Sequence, residues 1–210
     1  MRLVEKIHER YIFGRRIGKL AAHFARVIPL GARVLDVGCG DGALARLIMK
    51  QRPDVKIDGI DVLIREKTHI SVQRFDGHTI PYPSGAFELV MFADVLHHTA
   101  DPEILLREAI RVCSDAIVLK DHTAEGLLAH PTLRFMDKVG NARHGINLPF
   151  NYWTETHWLE VFRSLGLNVS TWIKQLGLYP LPVNWLFGRS LHFLAVLSKS
   201  ANPSPCHSSN

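Results

Sequence analysis

The sequence predicts an α/β fold in which a parallel sheet is covered by helices on both faces. Short apolar runs alternate with segments whose apolar residues recur at helical spacing. This alternation is typical of parallel sheets, because each crossover between parallel strands normally carries a helix. The first apolar run ends in the glycine-rich stretch VLDVGCGDG, residues 34–42, just before a predicted helix. Ligands of such sheets bind at the carboxyl ends of the strands, where this stretch lies.

Each element follows from local patterns. Strands are predicted at residues 32–37, 55–61, 70–75, 87–93, 116–120, 167–174 and 191–197. Helices are predicted at residues 3–28, from about 41 to Pro53, from 102 onward, at 123–139 and from about 154. Asp101 is predicted to cap the third of these helices, with Pro102 at its first position. Trp153 and Trp158 occupy the positions of a hydrophobic staple around a cap at Thr154.

One domain is predicted over residues 1–199, which is long enough to bury a full core. It comprises an N-terminal helical segment, residues 1–30, and a segment at 123–152 that we expect to cover the substrate. The tail, residues 200–210, is polar and predicted to be disordered. The N-terminus lacks the apolar core of a signal peptide, and prolines and polar residues interrupt the apolar stretch 176–197. A cytoplasmic protein without a transmembrane segment is therefore expected.

Charge and cysteine content argue against several classes of protein. The formal net charge is +5, but the basic residues are scattered. The densest group, Arg15, Arg16 and Lys19, is interpreted as a solvated helix face, so no nucleic-acid partner is expected. The three cysteines have no metal or redox spacing, and the 12 histidines show no recurring ligand spacing. No metal site is predicted.

Three acidic residues, each at the end of a predicted strand, indicate the kind of ligand. Asp36 lies so close to the glycine turn that it would repel a pyrophosphate but suit an ammonium or sulfonium group. Asp61 could accept hydrogen bonds from ribose hydroxyls, and Asp76 from an adenine amino group. A dinucleotide remains an alternative, because Gly38, Gly40 and Ala43 loosely satisfy the form G-x-G-x-x-G/A.

The stretches VLDVGCGDG, GIDV and RFDGHTIPYPSGAFELVMFADVLHHTADP, with the helix that follows, occur in this order over residues 30–120. They resemble the class I S-adenosylmethionine-dependent methyltransferases, in particular the small-molecule branch that includes quinone-ring methylating enzymes. The resemblance implies a Rossmann-like, doubly wound sheet of seven strands with the last strand antiparallel, and S-adenosylmethionine as the cofactor.

The resemblance also implies cofactor-binding residues along the strand ends. The methionine end would be held by Asp36, Gly38, Cys39 and Gly40. The ribose and one face of the adenine would contact Asp61 and Val62, and the adenine edge would contact Asp76 and Gly77. Ala93 and its neighbours would lie beneath the methionyl part.

The chemistry requires alignment of an acceptor with the methyl group and, for many acceptors, a base. His122 is the first candidate base, with capping of the next helix as the alternative, and His97 is the second. We expect His98 to be structural. Asp121, His144 and Tyr152 are candidate substrate contacts.

The predicted function is methyl transfer to a small, fairly apolar molecule. An RNA or protein methyltransferase is an alternative, but residues 93–96, Ala-Asp-Val-Leu, lack the Asn/Asp-Pro-Pro-Tyr/Phe-like motif that often serves RNA or amide-nitrogen targets. A non-catalytic cofactor-binding protein is another alternative, although no expected glycine or acid is missing.

The connection LGLYPLPVNWLFG could cap the crevice or contact a membrane surface. The sequence does not specify an oligomeric state.

Overall fold

In the computed structural model, residues 14–126, 128–141, 151–180 and 190–199 are described, without the side chains of 137–141. The helices are α1 (Gly14–Val27), α2 (Ala43–Gln51), α3 (Pro102–Val112), α4 (Ala129–Asn141) and α5 (Glu155–Ser164), and Leu96–His98 form one 3-10 turn. The strands are β1 (Arg33–Val37), β2 (Lys56–Asp61), β3 (Val72–Arg74), β4 (Phe87–Ala93), β5 (Cys113–His122), β6 (Leu167–Ile173) and β7 (His192–Lys199).

The seven strands form one sheet in the order β3-β2-β1-β4-β5-β7-β6. Strands β1 to β5 pair in parallel, whereas β7 pairs antiparallel with both β5 and β6. The predicted α/β fold, with seven strands and an antiparallel last strand, is confirmed. The strand order reverses between β1 and β4, and this is the point at which ligands of doubly wound sheets bind.

The core consists of two apolar layers, one on each face of the sheet. Neighbouring strand residues alternate between them, because successive side chains of a strand point to opposite faces. Val34 of β1 packs with Phe24 of α1 and Ile48 of α2, whereas Leu35 packs in the layer that contains Leu106 of α3 and Trp158 of α5. These layers fix the helices against the sheet and hold the strand ends in register.

Local capping signals predicted the starts of α3 and α5 correctly. The Asp101 carboxylate accepts a hydrogen bond from the Glu103 amide at 3.0 Å, with Pro102 at the first position of α3. The Thr154 hydroxyl accepts from the His157 amide at 3.2 Å. The rings of Trp153 and Trp158 lie 4.6 Å apart across this cap, as expected for a hydrophobic staple.

Two predicted elements around residue 120 have wrong boundaries. β5 begins at Cys113 and continues to His122, because it pairs with β4 on one side and with β7 on the other as far as His192. The following helix begins at Ala129 instead of residue 123. Gly126 and Leu128 have φ angles of +87° and +65°, which a right-handed helix cannot contain.

Across the described ranges, no helix is both long enough and apolar enough to cross a membrane. The predicted N-terminal helix is described from residue 14 onward, and the predicted disordered tail, 200–210, lies outside the described residues.

Candidate functional site

The glycine-rich turn lies at the carboxyl end of β1. The amides of Gly38 and Cys39 donate to the carbonyl of Ile60, at 2.8 and 3.2 Å, and tie the turn to β2. Gly38 has a φ of +73°, and a Cβ there would lie 2.6 Å from a methyl carbon of Val95. Gly40 has a φ of +60°, but a Cβ there would meet nothing within 4 Å. Packing therefore requires glycine at 38, whereas Gly40 borders open space in which a ligand could approach the backbone.

Asp61 ends β2 beside this turn and is 7% exposed. Its carboxylate accepts from the Gly40 amide at 2.8 Å through Oδ2 and from the Leu63 amide at 2.9 Å through Oδ1. The three apolar side chains that follow, at residues 62–64, are 40–47% exposed. Each carboxylate oxygen retains a further acceptor site. A partly satisfied carboxylate beside exposed apolar side chains suits a ribose that carries a flat apolar base.

Asp36 lies beneath the turn and is only 2% exposed. Burial, and then the negative charge of Asp61, raises the pKa of Asp36 to about 8. The carboxyl group is therefore mostly protonated at neutral pH without a ligand. A cationic ligand above the turn would favour its ionised form.

Asp76 and Gly77 follow β3 at the same edge. Asp76 Oδ1 accepts from the amides of His78 and Thr79, at 2.7 and 2.6 Å. Of these two bonds, the one from Thr79 contributes most to lowering the pKa of Asp76. A Cβ on Gly77 would lie 3.2 Å from Val62 Cγ1. The strand ends that carry the candidate ribose and adenine contacts are thus neighbours.

A cleft of about 180 Å³ opens between α1 and the glycine turn. Its lining includes Arg16 and Leu20 from α1, Cys39 and Asp41 from the turn, and Ala93 and Asp94 at the end of β4. Asp94 has a φ of +60°, which is uncommon for a residue other than glycine and often marks a functional position. The cleft carries both a guanidinium and carboxylates, so it can receive a zwitterionic group.

The Asp94 carboxylate joins three cationic or polar side chains. Arg16 Nη2 lies 2.5 Å from Oδ2, while the Lys120 ammonium and, at 3.3 Å, His122 Nε2 approach Oδ1. Burial raises the pKa of Asp94, but the charges of Lys120 and Arg16 outweigh this effect and hold it well below its usual value. Lys120 is fully buried, and its Nζ lies 3.2 Å from His192 Nδ1. Arg16, predicted to be part of a solvated helix face, is instead partly buried in this cluster.

A second buried pair lies next to this cluster. Asp121, at 0% exposure, accepts from the amides of Leu96 and His122 at 3.0 and 2.8 Å. His97 Nδ1 lies 2.5 Å from Asp121 Oδ1. Because an ionised carboxylate only accepts hydrogen bonds, Nδ1 carries the proton and Nε2 is the basic nitrogen of the ring. This is the arrangement by which an acid orients a histidine base.

Both ring nitrogens of His122 face oxygen atoms. Nδ1 lies 3.3 Å from the carbonyl of Leu191, and Nε2 lies 3.3 Å from Asp94 Oδ1. The backbone carbonyl of His122 accepts from the indole of Trp158 at 3.0 Å, so β5 is anchored to α5 there. Burial, and then the charge of Lys120, lowers the pKa of His122 well below 6.5.

Tyr152 completes the group of rings at this end of the sheet. It is 7% exposed and its ring stacks on that of His97, with centroids 5.8 Å apart. It also packs with Leu133 of α4 and Leu191 in a small apolar cluster. The Asn151 amide donates to the carbonyl of His97 at 2.9 Å. His144, another predicted substrate contact, lies outside the described residues.

The structure thus brings most of the predicted residues to one edge of the sheet. It also adds three that the sequence did not assign to the site, namely Arg16, Asp94 and Lys120. The only local signal for them was the position of Asp94 and Lys120 at strand ends. Among the described residues, no group of three or more His, Cys, Asp or Glu side chains is arranged to hold a metal ion.

The fold and the strand-end cleft define an α/β protein suited to a nucleoside cofactor with a charged tail. Residues 7–171 match the family model described as Methyltransferase domain. The chain belongs to this family. This confirms the expected resemblance to class I S-adenosylmethionine-dependent methyltransferases of the small-molecule type. The family and the fold imply S-adenosylmethionine as the cofactor, and the turn, Asp61 and the charged cleft fit it.

Individual relatives matched by sequence cover less of the chain. It is 29% identical over 109 residues to 27-O-demethylrifamycin SV methyltransferase of Amycolatopsis mediterranei, a match over 45% of this chain and 40% of that protein. It is 30% identical over 128 residues to demethylmenaquinone methyltransferase of Thermotoga maritima, over 53% of this chain and 56% of that protein. The matches therefore span about half the length of these relatives. The structure of a putative methyltransferase from Bacillus halodurans superimposes with a TM-score of 0.60 at 18% identity, over 88% of this chain and 98% of that one.

Proposed function

We propose that this protein transfers a methyl group from S-adenosylmethionine to a small, fairly apolar acceptor, with His97 as the general base. The observation that carries this proposal is the buried His97–Asp121 pair, with Nδ1 and Oδ1 2.5 Å apart, next to the cofactor cleft. The two similar proteins named above, a rifamycin and a menaquinone methyltransferase, support a small-molecule acceptor. A cytoplasmic location belongs to the same proposal.

The chain's own residues would perform three tasks. S-adenosylmethionine supplies a methyl group on a positively charged sulfur. The glycine turn, Asp36, Asp61 and Asp76 hold its two ends, so that the methyl group has a fixed direction. His97 Nε2 would take the proton from an acceptor hydroxyl. Asp121 then stabilises the imidazolium that results.

The segment between β5 and α5 would cover the acceptor. Helix α4 packs through Leu133 against Tyr152 and Leu191, which places it over the ends of β5 and β7. A cover at this position excludes water from the transfer site. Tyr152, stacked on His97, would contact the acceptor. The residue expected first as the base, His122, has both ring nitrogens directed at oxygen atoms, and we therefore assign it a supporting place beside His97.

The experiment is a transfer assay with isotopically labelled S-adenosylmethionine and a panel of phenols, quinols and macrocyclic aromatic alcohols. We expect labelled product from a small acceptor, and about a 10²-fold or greater loss of turnover in His97→Gln with unchanged affinity for S-adenosylhomocysteine. Tyr152→Phe should mainly raise the KM for the acceptor. The exposed His69→Gln serves as the control and should retain full activity.

Two results would contradict the proposal. Label that appears only in RNA or protein from a cell extract would indicate a macromolecular methyltransferase. Tight cofactor binding without transfer to any acceptor class would indicate a non-catalytic binding protein.

A further inference from the structure

Lys120 is a buried charge that none of the roles described so far uses. It lies on β5, its side chain is 0% exposed, and its ammonium contacts the Asp94 carboxylate. Lysine is almost never fully buried unless it is paired, since removing the charge from water is costly. Its Nζ also lies 3.2 Å from His192 Nδ1, so it has two defined partners in the interior.

Two groups compete for the same oxygen of Asp94. Oδ1 is approached by Lys120 Nζ and, at 3.3 Å, by His122 Nε2. A carboxylate at this distance from an imidazole, with no other cation, favours a protonated, positively charged ring. Lys120 already supplies a cation to that oxygen, so His122 does not need to acquire a proton to pair with it.

We propose that Lys120 is a positioning residue of the transfer site: as the cation on Oδ1 of Asp94, it keeps His122 an uncharged imidazole beside His97. The inference rests on the proposed function, because its purpose is to protect the base. The rings of His97 and His122 have centroids 4.6 Å apart. A positive charge on His122 would make His97 a weaker base and would repel the positively charged sulfur of the methyl donor.

The charges around His122 balance when its ring is neutral. The titratable and charged groups that face it or its partners are Asp94 after β4, Lys120 and Asp121 on β5, His97 on the 3-10 turn, His192 on β7 and Tyr152 before α5, with Arg16 of α1 behind Asp94. Two carboxylates, Asp94 and Asp121, match two fixed cations, Arg16 and Lys120. The lowered pKa of His122, caused by burial and then by Lys120, agrees with this balance.

The test is a pH titration of the histidine rings by nitrogen NMR, on the full chain saturated with S-adenosylhomocysteine. In the unmodified protein, we expect the His122 ring to stay neutral well below pH 6.5. In Lys120→Met, which keeps the length of the side chain and removes its charge, His122 should protonate at clearly higher pH because Asp94 Oδ1, which faces His122, then lacks its cation, while Arg16 pairs with Oδ2. In the double variant Asp94→Asn/Lys120→Met, His122 should again stay neutral. The exposed Lys56→Met is the control and should leave the titration unchanged.

The inference is overturned if His122 titrates at the same pH in folded Lys120→Met as in the unmodified protein. It is also overturned if the double variant titrates like Lys120→Met, since Asp94 would then not be the cause. If Lys120→Met does not fold, the carbon NMR titration of Lys120 Cε in the unmodified protein decides. An ammonium at pH 7 supports the inference, and an uncharged amine overturns it. None of these measurements needs an acceptor. A negative result here can therefore be distinguished from a negative result in the transfer assay.

Discussion

The carboxylate of Asp61 accepts a hydrogen bond from the backbone amide of Gly40, 2.8 Å away, and so joins the end of β2 to the glycine turn after β1. One acidic side chain thereby fixes the shape of the turn and, in the proposed cofactor site, would bind the ribose. The two functions can be separated experimentally, because fixing the turn affects the stability of the protein and binding the ribose affects its affinity for the cofactor.

Removing the Asp61 carboxylate should weaken cofactor binding. For Asp61→Ala we expect the affinity for S-adenosylmethionine and S-adenosylhomocysteine to fall by about 1.5–3 kcal/mol, the value typical of hydrogen bonds to a charged group. Calorimetry measures this directly. Asp58→Ala on the same strand is the control, since that partly exposed side chain pairs with Arg33 away from the turn. Equal affinity of Asp61→Ala and the unmodified protein would contradict the assignment.

Gly40→Ala should separate ligand binding from stability. A non-glycine residue at a positive φ costs about 1–2 kcal/mol. Because a Cβ at position 40 meets no protein atom within 4 Å, we expect no further loss of stability. Gly31→Ala is the matched control, with a φ of +69° and equally open surroundings far from the cleft. Both variants should unfold at similar denaturant concentrations, but only Gly40→Ala should lose cofactor affinity. Retained affinity in Gly40→Ala would show that no ligand approaches this atom.

Asp36 should make the stability of the ligand-free protein fall as the pH rises. Its pKa is about 8 in the folded state against 3.8 without the fold, so between these values the folded state holds a proton that the unfolded state releases. The free energy of unfolding therefore decreases from about pH 4 to pH 8, by up to about 1.4 kcal/mol per pH unit for one group.

The variant Asp36→Asn lacks this titration. It should be more stable than the unmodified protein, and the difference in the free energy of unfolding should grow as the pH rises over this range. Urea unfolding at several pH values measures it, with the exposed Asp115→Asn as control. A pH-independent difference would contradict the buried, protonated state.

Asp94 should recognise the charged tail of the cofactor. We expect Asp94→Asn to lose affinity for S-adenosylhomocysteine by about 10-fold or more, the order of one hydrogen bond to a charged group. Binding of methylthioadenosine, which lacks the amino-acid tail, should change little. The ratio of the two affinities is the measured quantity. Asp115→Asn, an exposed carboxylate on β5 that is not among the residues lining the cleft, is the control. An unchanged ratio would place the tail elsewhere.

Much of the fold could be predicted because the rules that produce it act over a few residues. The Asp101 and Thr154 caps, the Trp153–Trp158 staple and the glycines after β1 are each defined by neighbours within a turn or two. The alternation of strands and helices then places the carboxyl ends of the parallel strands at one edge of the sheet. For this reason Asp36, Asp61 and Asp76 could be predicted to lie together at that edge before any contact was known.

The sequence by itself therefore determined the α/β class, the strand ends that meet at one edge of the sheet and the identity of the cofactor. Only the tertiary structure decided which charges meet. Arg16 and Asp94 are 78 residues apart in the chain, Asp94 and Lys120 are 26 apart, and Lys120 and His192 are 72 apart. The neighbouring residues in the sequence are the same whether an arginine side chain is solvated or partly buried. They are also the same whether a lysine at a strand end is solvated or paired with a carboxylate. The two cases differ in the free energy of desolvation and ion pairing, and this free energy depends on which groups the fold places opposite each charge.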